Sequence, residues 1–418
     1  MKICVLGLGY IGLPTSLLLA NAGNTVLGVD INSNIVEKLN RNELPFKEPS
    51  LDELFKKAKN NFQASSSVQS SEAYIIAVPT PLESEMKMAD LDAVKSASDA
   101  IAKVLTDGQI VILESTVPPG TSEHFVLPIL RKKGINTIYF AHCPERAIPG
   151  RTLHEMIHND RIIGGLNEES AEKVKNLYSS FVKGNIFITD TKTAEFVKLM
   201  ENTFRDINIA LANEFSLLAE EANINVWEAI NLANKHPRVN ILKPGPGVGG
   251  HCIAIDPMFL AEKSSKARII TLAREINSSM PVHVGKMINE MVKDVKNPMI
   301  TLLGLAYKGN VDDIRESPTF KIKRIAENEG MSVKLYDPLV HHYPGNSSTL
   351  EEAAKNSDCL VLITDHDLFK EIDPKQLSMR HKNLIDTRNI LDHNFWKDVG
   401  YRVKILGIGN SKYDSDES

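Results

Sequence analysis

The chain has 418 residues, room for roughly two to four domains of 100–200 residues each, and its 42% hydrophobic and 24% charged side chains exclude disorder, collagen-like repeats and a disulfide scaffold. Its 48 basic and 53 acidic residues leave a net charge of −5, which gives no general field for a polyanion, and no dense Lys/Arg block marks a nucleic-acid face. The four cysteines, Cys4, Cys143, Cys252 and Cys359, have neither CxxC nor zinc-like spacing, so they predict no metal site and fit a reducing, cytoplasmic compartment.

The opening run ICVLGLGYIGLPTSLLLA would pass a hydropathy window as a signal peptide or membrane anchor. Gly7, Gly9, Gly12 and Pro14 interrupt it, and a second strand-like run, Thr25 to Asp30, follows after a short turn, so a strand and a helix are expected and no membrane attachment. From Lys2 to about Asp190, strands are predicted at Ile3–Leu6, Thr25–Val29, Ala73–Ala77, Ile110–Glu114 and Thr137–Ala141, with helices after the first turn and around Asp92–Leu105. That alternation describes a parallel doubly wound sheet over residues 1–190.

Between Thr191 and Ala222 the period changes. Phe196, Val197, Met200, Phe204, Ile207, Leu211, Phe215 and Leu218 recur at spacings of three and four without Gly or Pro, which predicts one long helix opening a helical middle domain, 191–297. A Gly/Pro-rich loop separates it from a second helical region, Phe259 to Val295, expected to break or kink at Ser278–Pro281. Helices of this length serve equally as subunit interfaces and as internal supports. At Pro298 the alternation restarts, with strands at Met299–Gly304, Ser332–Tyr336 and Cys359–Thr364, predicting a second α/β domain over 298–408; the polar, acidic tail 409–418 reads as disordered. The fold class is therefore α/β, two Rossmann-like doubly wound domains joined by a helical domain.

Gly7-Leu8-Gly9-Tyr10-Ile11-Gly12 directly follows the first strand and opens a helix, the context a dinucleotide fingerprint requires. The first glycine makes the tight turn, the second lets backbone approach a pyrophosphate, and the third allows helix and strand to pack closely. Asp30 ends the second strand, where a carboxylate accepts ribose hydroxyls and repels a 2′-phosphate, so NAD is expected over NADP. Thr80 and Thr116 stand at two further strand ends facing the same crevice, although each alone reads equally as ordinary turn chemistry.

Cys252 lies in GGHCIAIDP, where Gly249 and Gly250 permit close backbone approach and a short helix is expected to begin; its thiolate would gain from that helix terminus. If the turn is helical, Asp256 comes one turn along on the same face. Cys252 taken by itself also suits a buried structural thiol, and Cys4 and Cys359 in apolar strands read as inert. Lys198, Asn202 and Arg205 form a row on the long helix that is either a solvated face or a set of donors for an anionic, oxygen-rich ligand.

GLGYIGLP, AVPTP, ESTVPPGT, CPERAIPG, KLMENTFRDINIALANE, GPGVGGHCIAIDP and GLAYKGNVDDIRESP, in this order across nearly the whole chain, resemble the UDP-glucose/GDP-mannose dehydrogenase family. The resemblance implies an N-terminal NAD-binding domain, a helical domain that forms a homodimer, a C-terminal domain holding the UDP end, and four-electron oxidation of a sugar C6 alcohol to a carboxylate, which supplies acidic sugar for polysaccharide biosynthesis. It implies Cys252 as the nucleophile that carries the sugar as thiohemiacetal and then thioester, Lys198 as the cation on the developing oxyanion, and Asn202 and Asp256 beside it. Glu145 and Thr116 are implied to hold and activate the hydrolytic water. The implied substrate contacts are Arg146, Ala147, Lys198, Asn202, Arg205, His236, Arg238, Gly249, Tyr307, Lys308 and Arg388, and Arg315 is implied to contact NAD.

UDP-glucose dehydrogenases of this family typically carry serine where His251 stands, Phe-Pro-Lys-Asp in place of Ile253-Ala254-Ile255-Asp256, and a second glutamate where Pro149 stands. These departures favour a 2-acetamido sugar over UDP-glucose and do not separate manno from gluco configuration; the stretch NKHPRVNILKPGPGVGGHCIAIDP, with CPERAIPG and NTFRDINIALANE, most resembles the branch that oxidises UDP-N-acetyl-D-mannosamine, with UDP-N-acetylglucosamine or UDP-glucose as the alternative substrates. A non-catalytic NAD or nucleotide-sugar sensor is the alternative from another class, and the joint presence of Lys198, Asn202, Cys252 and Asp256 argues against it.

Overall fold

A computed structural model describes residues 1–83, 88–148, 150–262, 264–341 and 343–409. Pro149 and, apart from Gly409, the tail expected to be disordered lie outside the described residues. Two compact units are present, residues 1–201 with 258–264, and residues 202–257 with 265–418.

The first unit is built on an eight-stranded sheet in the order β3-β2-β1-β4-β5-β6-β7-β8, where β1 is Lys2–Leu6, β2 Thr25–Val29, β3 Phe62–Ser65, β4 Ala73–Ile76, β5 Gln109–Leu113, β6 Ile138–His142, β7 Arg161–Gly165 and β8 Ile186–Asp190. All neighbours run parallel except β6 and β7. Strand alternation divides the core between the two faces: Ile3 and Val5 of β1 pack with Leu13 and Leu17 of the helix Gly12–Asn21, while Cys4 and Leu6 pack with Tyr74, Ile76 and Val94 on the other side. The apolar opening run is thus a buried strand and helix. No helix among the described residues is long and apolar enough to cross a membrane.

The second unit holds a five-stranded parallel sheet, order β10-β9-β11-β12-β13, with β9 Met299–Leu303, β10 Ser332–Tyr336, β11 Cys359–Leu362, β12 Asn383–Asp386 and β13 Arg402–Ile405. This is the other common doubly wound order, with its reversal between β9 and β11. Here too the faces alternate, Cys359 and Val361 packing on one side and Leu360 and Leu362 on the other.

The long helix runs over Thr191–Ala222. Its buried face is largely polar, carrying Glu195, Asn202, Thr203, Asp206, Asn213 and Ser216, while Phe196, Met200, Phe204, Leu211, Phe215 and Leu218 are exposed. Within the second unit, Asn277 donates to Asp206 Oδ1 at 2.8 Å, Asn213 donates to Asn277 Oδ1 at 2.8 Å, and Arg274 pairs with Asp206 at 2.5 Å. These bonds give Asp206 Oδ1, Asn213 and Asn277 the partners that buried polar groups require.

The second helical region departs from expectation. It is two helices, Asp256–Ala261 and Arg268–Val292, and the second continues through Pro281 rather than ending there. A proline removes one helical hydrogen bond, but Met280, Val284, Met287, Ile288 and Met291 bury one continuous face against the second sheet on both sides of it, and that packing holds the helix together.

Candidate active site

The glycine turn after β1 is built by contact. Gly7 has φ +93°, and a Cβ there would lie 2.4 Å from the Ala77 carbonyl oxygen; at Gly12 it would lie 1.8 Å from the Gly7 oxygen. At Gly9 it would meet nothing within 4 Å, so backbone there fronts open space. Asp30 closes the turn, its Oδ2 accepting from the Leu8 N–H at 2.8 Å and its Oδ1 from the Asn32 N–H at 2.8 Å. Tyr10 packs on Phe46 with ring centroids 4.3 Å apart, and no side chain caps the helix that starts after Ile11. Open backbone at Gly9, an uncapped helix start and a carboxylate at the end of β2 fit a dinucleotide. Thr80, buried, donates its hydroxyl to the Thr116 carbonyl at 2.7 Å, joining the loops after β4 and β5.

Beyond β6, the chain turns sharply at Glu145. One oxygen of its buried carboxylate accepts from the N–H groups of Arg146 (2.7 Å) and Ala147 (3.0 Å), and the other pairs with Arg161 at 2.5 Å. Arg146 is itself engaged, pairing with Glu201 at 2.6 Å and donating to the Asp160 carbonyl at 2.8 Å. Lys198 is half-buried on the long helix. One turn earlier, Glu195 accepts from the N–H groups of Gly120 (2.5 Å) and Ser122 (2.8 Å), which ties the helix to the loop that follows Thr116. Burial pushes His142, at the end of β6, down to about 3, the Lys198 charge adding to the effect.

In the second unit, the turn that carries Cys252 interlocks with the loop after β9. A Cβ at Gly249 would lie 2.7 Å from the Tyr307 Cβ and 2.8 Å from the Glu316 carbonyl oxygen, and one at Gly250, φ +83°, would lie 2.8 Å from the Tyr307 ring. Gly250 N–H donates to the Arg315 carbonyl at 2.9 Å. Cys252 is exposed, whereas Cys4, Cys143 and Cys359 are buried; burial pushes the Cys4 thiol up to about 11 and Cys143 to about 12. The helix begins at Asp256, later than the sequence pattern suggests, and Cys252 stands in the turn before it. The Cys252 carbonyl accepts from the Asp256 N–H at 2.8 Å, and the buried Asp256 carboxylate accepts from Asn202 at 2.5 Å.

Two candidate arginines of this unit are held by acids. Arg315 makes a fork to Asp313, with bonds of 2.6 to 3.1 Å. Arg388 pairs with Asp365 at 3.0 Å, Asp365 also accepts from the Gly309 N–H, and a Cβ at Gly245 would lie 2.5 Å from the Arg388 Nη1. Asn202, Cys252 and Asp256 are thus brought together, as are Gly249 and Tyr307, and Arg388 and the loop after Lys308. Arg205, His236, Arg238 and Lys308 are exposed, and of these Arg238 donates its backbone N–H to His236 at 3.3 Å.

The pattern reading missed Glu114, Arg161, Tyr178, Asp313 and Asp365, which hold candidate residues in place. The one signal Arg161 offers is a charge at the head of the apolar run RIIGG, because its partners come from other strands.

Comparison with known proteins follows this division of labour. Residues 1–182 match the NAD-binding domain of the UDP-glucose/GDP-mannose dehydrogenase family, 192–279 its central domain and 301–393 its UDP-binding domain. A UDP-N-acetyl-D-mannosamine dehydrogenase of Methanococcus maripaludis is 50% identical over 98% of this chain and 97% of its own. Two solved structures of UDP-N-acetyl-D-mannosamine dehydrogenases superpose well. The one from Pyrococcus horikoshii has a TM-score of 0.92 at 42% identity, covering 98% of this chain and 100% of that one. The one from Staphylococcus aureus has a TM-score of 0.90 at 41% identity, covering 97% and 98%. The chain therefore belongs to the UDP-glucose/GDP-mannose dehydrogenase family and is an NAD-dependent UDP-sugar dehydrogenase.

Proposed function

We propose that this enzyme oxidises the C6 alcohol of UDP-N-acetyl-D-mannosamine to the carboxylate through covalent attachment of the sugar to Cys252. The observation that carries the reading is the exposed thiol on a glycine-built turn whose backbone bonds to Asp256, itself bonded to Asn202. The His251 and Ile253-Ala254-Ile255 departures support a 2-acetamido sugar, and the names of the relatives support the manno configuration.

Two NAD molecules, bound in turn, would each accept one hydride, the first as the C6 alcohol becomes the aldehyde and the second as the thiohemiacetal becomes the thioester. Gly7, Gly9, Tyr10, Ile11, Gly12, Asp30, Thr80 and Thr116 would hold the cofactor, and Arg315 is a further candidate contact. Cys252 adds to the C6 aldehyde to give a thiohemiacetal, which becomes a thioester on oxidation. The Lys198 ammonium stabilises the developing oxyanion, and Asn202 holds the oxygen with it. Asp256 accepts and returns the proton of the thiol or alcohol. Glu145, with Thr116 holding the water, takes a proton as hydroxide attacks the thioester. Arg205, His236, Arg238, Tyr307, Lys308 and Arg388 suit a diphosphate and its uridine, since two phosphate charges need local donors, and Arg146, Ala147 and Gly249 complete the sugar site through their backbone and side chains.

The exposed apolar face of the long helix, Phe196 to Leu218, supports a homodimer, because six large apolar side chains in one stripe exceed what a monomer ordinarily exposes. The covalent mechanism is tested with Cys252→Ala. Formation of UDP-N-acetylmannosaminuronate should fall by at least about 10³-fold, and product at the parent rate would reject it.

A further inference from the structure

Arg161 opens β7 and is only 4% exposed. Its guanidinium bridges two carboxylates from neighbouring strand ends, Glu145 at 2.5 Å and Glu114 at 3.4 Å, and stacks 4.6 Å above the Tyr178 ring. Tyr178 donates its hydroxyl to Glu114 at 2.5 Å, and Thr15 donates to the other Glu114 oxygen at 3.2 Å. A guanidinium taken this far out of water is costly unless its partners are well placed, so a purely structural role could be filled as well by apolar packing. Its placement has a specific effect on Glu145. A carboxylate offers about four acceptor positions, and Arg161 with the N–H groups of Arg146 and Ala147 uses three. About one position is left, and Glu145 and Arg161 also line, with Pro144, Arg146, Glu155 and Asp160, a small cleft that has room for about one water.

We propose that Arg161 is a positioning residue, which fixes the Glu145 carboxylate with one acceptor position turned to water, and that Glu114 competes with Glu145 for the same guanidinium. The inference rests on the reading of Glu145 as the base of the hydrolytic step. In that step a water proton passes to Glu145, the water oxygen bonds to the thioester carbon, the carbon–sulfur bond breaks and Cys252 leaves as thiolate.

The competition gives the step a pH dependence. The groups facing Glu114 are Arg161 from β7, Tyr178 from the helix Glu168–Tyr178, Cys143 and Glu145 from the loop after β6, and the uncharged Thr15 from the helix Gly12–Asn21. Burial pushes the Glu114 carboxyl up to about 7 against the pull of Arg161. Below that pH Glu114 is protonated and Arg161 serves Glu145 alone; above it the guanidinium is shared.

Arg161→Lys keeps a cation but loses the fork that spans two carboxylates. Mixed with UDP-N-acetyl-D-mannosamine and NAD, this variant should hold a thioester on Cys252, seen by intact-protein mass spectrometry. Thioester hydrolysis should slow by at least about tenfold while the first NADH forms at the parent rate. Equal slowing of both steps without a trapped adduct, the result of a merely structural role, overturns the proposal. Glu114→Gln keeps groups able to bond Tyr178 and Thr15, and it decides the matter if Arg161→Lys does not fold. Parent hydrolysis should inflect near pH 7 and the variant should not, and an inflection that persists, or is missing from the parent, overturns the competition. Glu145→Gln separates the two levels. If it traps no thioester, the reading of Glu145 as base has failed; if it traps one while Arg161→Lys and Glu114→Gln behave as the parent, this inference alone has failed.

Discussion

Gly9 and Gly12 stand in the same turn, yet an added methyl should act on them in opposite ways. At Gly12 it collides with backbone at 1.8 Å, whereas at Gly9 it enters open space. Gly12→Ala should therefore cost about 3 kcal/mol or more of stability. Gly9→Ala should keep the parent stability to within about 1 kcal/mol while raising the KM for NAD by at least about tenfold, because the methyl occupies the approach of the pyrophosphate. Thermal unfolding and NAD titration of the two variants check the contrast, and a Gly9→Ala enzyme with parent KM would reject this placement of the cofactor. His142 gives a second residue-scale prediction. The folded protein holds it neutral down to about 3, while the unfolded chain takes up a proton near the ordinary value of about 6.5. Its contribution to stability is thus complete above about pH 6.5 and is lost as pH falls towards 3. Urea unfolding of His142→Leu should show a shallower loss of stability across that window than the parent; an unchanged slope would contradict the assignment.

Among the elements, the long helix shows what periodicity reveals and what it leaves open. Spacings of three and four marked a helix over 191–222, and the helix is there. Hydropathy alone, however, would turn Phe196, Met200, Phe204, Leu211, Phe215 and Leu218 inward, and they face out. The inward face is polar because its partners come from other elements: Asn277 and Arg274 meet Asp206, and Gly245 N–H reaches Asn213 at 2.9 Å. No one-dimensional pattern reports such pairing. If the outward stripe is a subunit interface, Phe204→Glu combined with Leu218→Glu should move the protein from dimer to monomer in sedimentation velocity without loss of helix content; a dimer that persists places the interface elsewhere. The strands β3, β7, β8, β12 and β13 are absent from the sequence reading because FQAS, RIIGG, IFITD, NLID and RVKI are each only four or five residues long, too short for a period to declare itself. The helix does not break at Pro281, because the core it packs on outweighs the local penalty.

At the scale of the whole molecule, the chain carries two sheets with different doubly wound orders, and each of its two units contributes a glycine-built turn, one at Gly7 to Gly12 and one at Gly249 and Gly250. Both turns were legible because glycine spacing is local, and so was the approach of Asp256 to Cys252, four residues apart. The groups that hold the candidate residues were hidden: Arg161 and Glu114 around Glu145, Asp313 on Arg315 and Asp365 on Arg388 meet only after the sheets have formed. The central claim, that one site carries a sugar alcohol through two oxidations on one thiol, is tested most directly by counting NADH per sugar consumed with UDP-N-acetyl-D-mannosamine, UDP-N-acetylglucosamine and UDP-glucose in parallel. The account predicts two NADH for each UDP-N-acetyl-D-mannosamine consumed and the highest kcat/KM for that sugar. One NADH per sugar with an aldehyde released, a clear preference for a gluco sugar, or no NADH with any of the three would contradict it.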